Sequence, residues 1–83
     1  MPFIARSPKQ LGNVIQRTRR QLGLTQTQLA NIAGLRQEKL SIIENGQDGA
    51  KLSTIFALLA ALNLEITIGE RSGKLATSIA DIF

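Results

Sequence analysis

The chain has 83 residues, 43% of them apolar and 19% charged, with ten basic against six acidic side chains and a formal net charge of +4. That is the composition of one small globular domain, not of a disordered segment. Cys, His, Trp and Tyr are all absent, which excludes thiolate or imidazole metal sites, Cys–His and Ser–His nucleophile pairs, and disulfide staples.

A first helix opens at Ser7, whose hydroxyl can cap it, with Pro8 at the first helical position and Gln10 three residues after the cap. Leu11, Val14, Ile15, Thr18 and Leu22 share its inner face, and Gly23 stops it. Thr25 and Gln28 form a second capping box, opening a helix with Leu29, Ile32 and Ala33 on its apolar face and Gly34 as its stop. The third helix runs from about Arg36 to Asn45, with Leu40 and Ile43 inward and Gly46 as the stop. Ser53 opens the fourth, Thr54 to Leu62, and Asn63 closes it in the left-handed conformation. This helix is apolar almost all round and needs cover on more than one side. A small domain without staples makes a partner subunit the expected second cover, with Phe56 at that contact.

The period then changes to two. Leu64, Ile66 and Ile68 alternate with Glu65 and Thr67, and Gly69 ends the run. A lone strand leaves its backbone groups unsatisfied, so the alternation predicts antiparallel pairing with its own copy across a two-fold axis. The alternative is an irregular extension of the core. Glu70 to Lys74 has the composition of a linker, after which Leu75, Ile79, Ile82 and Phe83 recur at helical spacing. Such a segment is expected to dock on a partner protein or back on the dimer, the alternative being a frayed terminus. The organisation expected is a helical domain over residues 1–63, a dimerisation strand over 64–69 and a tail over 70–83.

Charge divides along the same line. Residues 1–51 carry eight basic and three acidic side chains, net +5, whereas residues 52–83 carry two and three, net −1. A polyanion-binding front with an assembly surface behind it accounts for that division; a merely solvated surface is the plainer alternative. Phe3, Phe56 and Phe83 stand away from the basic residues, so base stacking is not the mode of binding, and duplex DNA is favoured over RNA. Arg6 and Lys9 follow Met1–Ala5 where a signal peptide would be apolar, and the longest apolar run, Ile55 to Leu62, is only eight residues. The expected setting is a bacterial cytoplasm, at the nucleoid.

Thr25 to Gly46 reads TQTQLANIAGLRQEKLSIIENG. Ala30 permits close helix packing, Gly34 makes the turn, and Leu40 and Ile43 anchor the third helix from below. With Leu22 to Leu35 ahead of Leu40 to Gly46, residues 11–63 resemble the XRE, or Cro/CI-type, helix-turn-helix family. The run LEITI and the tail, residues 64–83, resemble HipB-type antitoxins. The resemblance implies an all-α, lambda-repressor-like domain whose C-terminal strand, Leu64, Ile66 and Ile68, pairs across a dimer. It implies a repressor on a palindromic operator, autoregulating a toxin–antitoxin operon, with a HipA-type kinase toxin as partner. It places Arg36, Gln37 and Ser41 at base-reading positions, Thr25 and Gln26 on the DNA backbone, and Lys39 on the groove wall.

Arginine can grip guanine O6 and N7, and glutamine adenine N6 and N7, each with two hydrogen bonds. Glu38 stands at the same reading end, where it either accepts from cytosine N4 or turns aside to pair with Lys39 or Arg36, the second being expected. Arg36 occupies a position where the family has Ser or Thr, so the start of the third helix is expected to be less well capped. Glu44 is expected to form a structural salt bridge with an arginine of the first helix, Arg17 being the candidate. Arg6, Arg19, Arg20 and Lys51 are further candidates for phosphate contact. Two rivals stand beside this reading: a phage or chromosomal repressor without a toxin, and a module that bridges proteins without reading DNA. An enzyme is not expected, since no nucleophile–base pair exists and no GK[ST] makes Gly46 to Lys51 a phosphate loop; no cofactor is expected either.

Overall fold

The computed structural model of the chain describes residues 3–71. Four helices follow one another: α1 (Pro8–Gln21), α2 (Gln26–Ala33), α3 (Gln37–Glu44) and α4 (Leu52–Ala61). No helix of the described residues is long and apolar enough to cross a membrane.

Local chemistry sets the helix starts and stops. The Ser7 hydroxyl accepts from the Gln10 amide at 3.1 Å, and Pro8 follows it at the first helical position. The Gln10 side-chain oxygen accepts from the backbone N–H of Arg6, one residue before the cap. At α2 the box is reciprocal: Thr25 Oγ1 accepts from Gln28 N at 3.1 Å, and Gln28 Oε1 accepts from Thr25 N at 2.8 Å. Two otherwise orphaned N–H groups are thereby satisfied. Gly34 ends α2 at φ +79°, a left-handed conformation that costs a side-chain-bearing residue about 1–2 kcal/mol. Arg36 precedes α3 without any side-chain cap, as its chemistry requires. Asn63 takes φ +57° just beyond α4, as expected.

One start and two side chains differ from expectation. α4 begins at Leu52 with Lys51 before it, so Ser53 lies inside the first turn and caps nothing. Leu22 comes after the last residue of α1 and is 55% exposed, because the chain has already begun to turn towards Gly23. Ile32 is 60% exposed, and Ala30 takes the inner position in its place. On a helix of eight residues the inner face is narrow, and Leu29 with Ala30 fills it.

α1 packs on α3, and α2 packs on both α3 and α4. Ile15, Leu29, Leu40 and Leu58 are fully enclosed at the centre, with Ile43, Ile55, Leu59 and Leu62 around them. Each such side chain contributes about 1.5–3 kcal/mol relative to exposure. Gly12 sets the depth of the α1–α3 contact. A Cβ there would overlap the carbonyl oxygen of Ile43 and lie 2.8 Å from that of Glu44.

The expected strand is absent from the described residues. Leu64 donates to the Leu59 carbonyl at 2.7 Å, and after it the chain to Arg71 forms neither helix nor ladder. A single strand finds no hydrogen-bonding edge among the four helices of the described residues. Ile66 and Ile68 are therefore left in solvent, Ile68 at 93% exposure. Together with Phe3, Leu11, Val14, Ile55 and Leu59, Ile66 lines an apolar groove of about 740 Å³. The apolar tail positions Leu75, Ile79, Ile82 and Phe83 lie outside the described residues.

Candidate nucleic-acid interface

α3 turns one face to the core and the other to solvent. At about 100° per residue, Leu40, Ile43 and Glu44 point inward, and Glu38 and Ile42 occupy the opposite side. Arg36, Glu38 and Lys39 are exposed, and Gln37 and Ser41 are half-buried at the margins of that face. The residues expected to read bases thus lie together in the first half of α3 and just ahead of it, Arg36 and Glu38 in solvent and Gln37 and Ser41 at the margins. Glu38 pairs with neither Lys39 nor Arg36 among the described residues, contrary to expectation, so its carboxylate faces solvent unopposed. In the first turn of α3 it is favoured by the helix dipole without an ion pair.

Beneath this surface lies a buried ion pair that anchors it. Arg19 Nε donates to Glu44 Oε2 at 2.8 Å, and Arg19 Nη2 donates to Oε1 at 3.1 Å. Arg19 Nη1 donates to the Leu24 carbonyl at 2.8 Å. The Arg19 side chain is 10% exposed and that of Glu44 is fully buried. Two expectations are corrected here. The partner of Glu44 is Arg19 and not Arg17, whose guanidinium lies 5.6 Å from the centroid of the Phe3 ring. Arg19, committed inside the domain, is also not a phosphate contact. The physical reason is the setting of α1: Gly12, Ile15 and Arg19 stand at helical spacing on the side pressed against α3.

Glu44 also connects the ion pair to the surface. Gln26 Nε2 donates to Glu44 Oε1 at 3.1 Å, and Gln37 Nε2 donates to Gln26 Oε1 at 2.6 Å. A continuous run of hydrogen bonds therefore leads from buried Arg19 to Gln37 at the start of α3. Both glutamines are first residues of their helices, which is how the turn at Gly34 brings them together. One N–H of Gln37 is used in this contact, leaving its second N–H and its Oε1, the donor–acceptor pair that an adenine edge requires.

Around the interface, Arg20 is exposed at the end of α1, Lys51 is exposed ahead of α4, and Thr25 is committed to the capping box. Ile42 was not anticipated in this surface. It lies 41% exposed, about 40° round the helix from Glu38 and directly away from the core. Its position on the wheel opposite Leu40 and Ile43 was the signal available.

A helix-turn-helix family model matches residues 15–68, and the chain belongs to the XRE-type helix-turn-helix family. Within that family it is similar to antitoxin HipB from two strains of Escherichia coli, O6:H1 and K12, at 40% identity over 62 residues in each case. That match covers 75% of this chain and 66% and 70% of the two relatives, so the chain spans about two thirds of their length. Solved structures agree. A HipB variant in complex with an O2 20mer has a TM-score of 0.80 at 35% identity, covering 87% of this chain and all of that one. HipB in a HipA-HipB-O2-O3 complex has a TM-score of 0.76 at 36% identity, covering 83% and 97%.

Proposed function

We propose that this chain is a dimeric, sequence-specific DNA-binding repressor, the antitoxin of a toxin–antitoxin pair, acting in the cytoplasm on the operator of its own operon. One observation carries the reading: the outward face of α3 presents Arg36, Gln37 and Ser41 together, with Gln37 held in place through Gln26 by the buried Arg19–Glu44 pair. A reading side chain whose rotamer is fixed before binding loses less entropy on contact with a base. Arg36 takes a guanine edge, Gln37 an adenine edge, and Ser41 a neighbouring base. Thr25, Gln26, Lys39 and Arg20 are assigned to phosphate. Each good bidentate contact discriminates by about 1–3 kcal/mol.

A single subunit reads one half-site. The second copy pairs through residues 64–69, where Ile66 and Ile68 stand in solvent and the backbone after Leu64 has no ladder partner among the described residues. Phe56, half exposed on α4, and the groove beside Ile66 extend that apolar surface. Two-fold pairing sets the two α3 helices into successive major grooves about 34 Å apart. The similarity to HipB, including HipB in a complex with HipA, supports a HipA-type kinase toxin as the protein partner, with Leu75, Ile79, Ile82 and Phe83 of the tail as the docking segment.

Enrichment of duplex DNA from a randomised pool by the purified protein tests the reading. The expected product is a two-fold symmetric sequence with half-sites one helical turn, or a multiple of it, apart. A pool that stays unselected contradicts it. Co-purification with a HipA-type protein expressed beside it tests the partner.

A further inference from the structure

We infer that Asp48 is a site of spontaneous main-chain modification, closing a succinimide with Gly49 and reopening to isoaspartate, while Asn45, in the same connection, is held back from the equivalent reaction. The link between α3 and α4 contains two steps of the kind this chemistry needs, Asn45-Gly46 and Asp48-Gly49. In each, the attacking atom is the backbone nitrogen of a glycine, which has no Cβ to hinder the approach. Asn45 and Asp48 are both exposed, so access to solvent does not separate them. The glycine nitrogens do. Gly46 N donates to the Ile43 carbonyl at 3.0 Å, and the residue is pressed against α1, where an added Cβ would lie 2.5 Å from the Cα of Lys9. Asn45 itself is tied to the end of α3, its N–H donating to the Ser41 carbonyl at 3.0 Å. Gly49 N has no acceptor among the described residues, and nothing stands within 4 Å of the place a Cβ would take.

The reaction balances within the chain and water. Gly49 N bonds to Asp48 Cγ, the C–OH bond of the protonated carboxyl breaks, and the amide proton leaves with the hydroxyl as water. Water then opens the ring. Addition at Cγ restores aspartate; addition at the main-chain carbonyl leaves the chain running through Cβ and Cγ, which is isoaspartate. Mass is unchanged overall, and nothing is oxidised or reduced. At Asn45 the leaving group is ammonia, but Gly46 N must first release the Ile43 carbonyl and lift away from Lys9. The lost hydrogen bond alone slows that step about two- to twelvefold. Asp48 needs no such release. Asp48 and Gly49 also line the apolar groove beside Ile66, so the isoaspartyl form lengthens the main chain in that wall.

The test incubates the full chain in mildly acidic buffer, folded and, in parallel, unfolded in guanidinium chloride. Peptide mapping follows both steps, and labelling of the peptides by an isoaspartyl methyltransferase identifies the product. Isoaspartate at position 48 should build up in the folded chain within about twofold of its rate in the unfolded one, as for a loop whose opening free energy is near zero. Deamidation of Asn45 should be slower in the folded chain by about tenfold, the hydrogen bond and the contact with Lys9 acting together. Asp48→Glu keeps the charge but would have to close a larger ring; it should abolish the label at position 48, with the helices unchanged by circular dichroism. Protection of Asp48 by folding as strong as that of Asn45 overturns the inference, as does label at position 48 that survives in Asp48→Glu.

Discussion

Deleting the Glu44 carboxylate should do far more damage than its distance from solvent suggests. Three hydrogen bonds end on this group: from Arg19 Nε at 2.8 Å, from Arg19 Nη2 at 3.1 Å and from Gln26 Nε2 at 3.1 Å. In Glu44→Ala the Arg19 guanidinium stays enclosed, with only the Leu24 carbonyl to receive one of its N–H groups. Breaking a buried pair from one side costs about 3–5 kcal/mol, because the surviving charge is left uncompensated. A domain of this length holds only about 4–12 kcal/mol in total, at roughly 0.05–0.15 kcal/mol per residue. Glu44→Ala should therefore lose about a quarter or more of the stability. With a slope of about 1 kcal/mol/M, urea unfolding followed by circular dichroism at fixed protein concentration should shift its midpoint down by about 3 M. Replacing both partners, Arg19→Met with Glu44→Leu, should recover most of that loss, since an apolar pair of similar volume avoids the desolvation of two charges. A midpoint shift in Glu44→Ala below about 1 M, or a double variant less stable than either single one, would refute the reasoning.

Further outcomes follow from packing and charge. Gly12→Ala should lower the melting temperature despite the higher helix propensity of alanine, because the added methyl meets the Ile43 and Glu44 carbonyl oxygens; overpacking of about 1–3 kcal/mol outweighs the gain of about 1 kcal/mol. Ile68→Asp, at a position 93% exposed in the subunit, should leave the helices intact by circular dichroism and yield a monomer by analytical ultracentrifugation. Arg20→Ala should reduce the steepness of the salt dependence of operator affinity by about 1.8 in logarithmic slope for a dimer losing one phosphate contact per subunit; Arg19 carries no such contact.

Much of this fold is written in short-range chemistry. Ser7, Thr25 and Gln28 mark helix starts by hydrogen bonds that span three residues, and Gly34 marks a turn by a conformation that other residues resist. These features do not depend on the rest of the molecule, so they are legible in the sequence. The partner of Glu44 was not. Arg17, Arg19 and Arg20 lie within one turn of α1, and the choice among them is made by how α1 rolls against α3. Gly12 fixes that roll through a backbone approach which composition does not reveal. The link from Gln37 through Gln26 to Glu44 depends on the same docking and was equally hidden. Residues 64–68 read as a strand because their alternation is real, but a strand exists only with a partner, and none lies among the described residues.

The central claim is that the outward start of α3 reads DNA bases. It is tested most directly by the ratio of affinities for the selected operator and for unrelated duplex, measured at one salt concentration, in the wild type and in Arg36→Ala with Gln37→Ala. Loss of two contacts of about 1–3 kcal/mol each in every half-site should reduce that ratio at least a hundredfold, while binding to unrelated duplex changes little. A folded double variant that keeps the wild-type ratio would contradict the account.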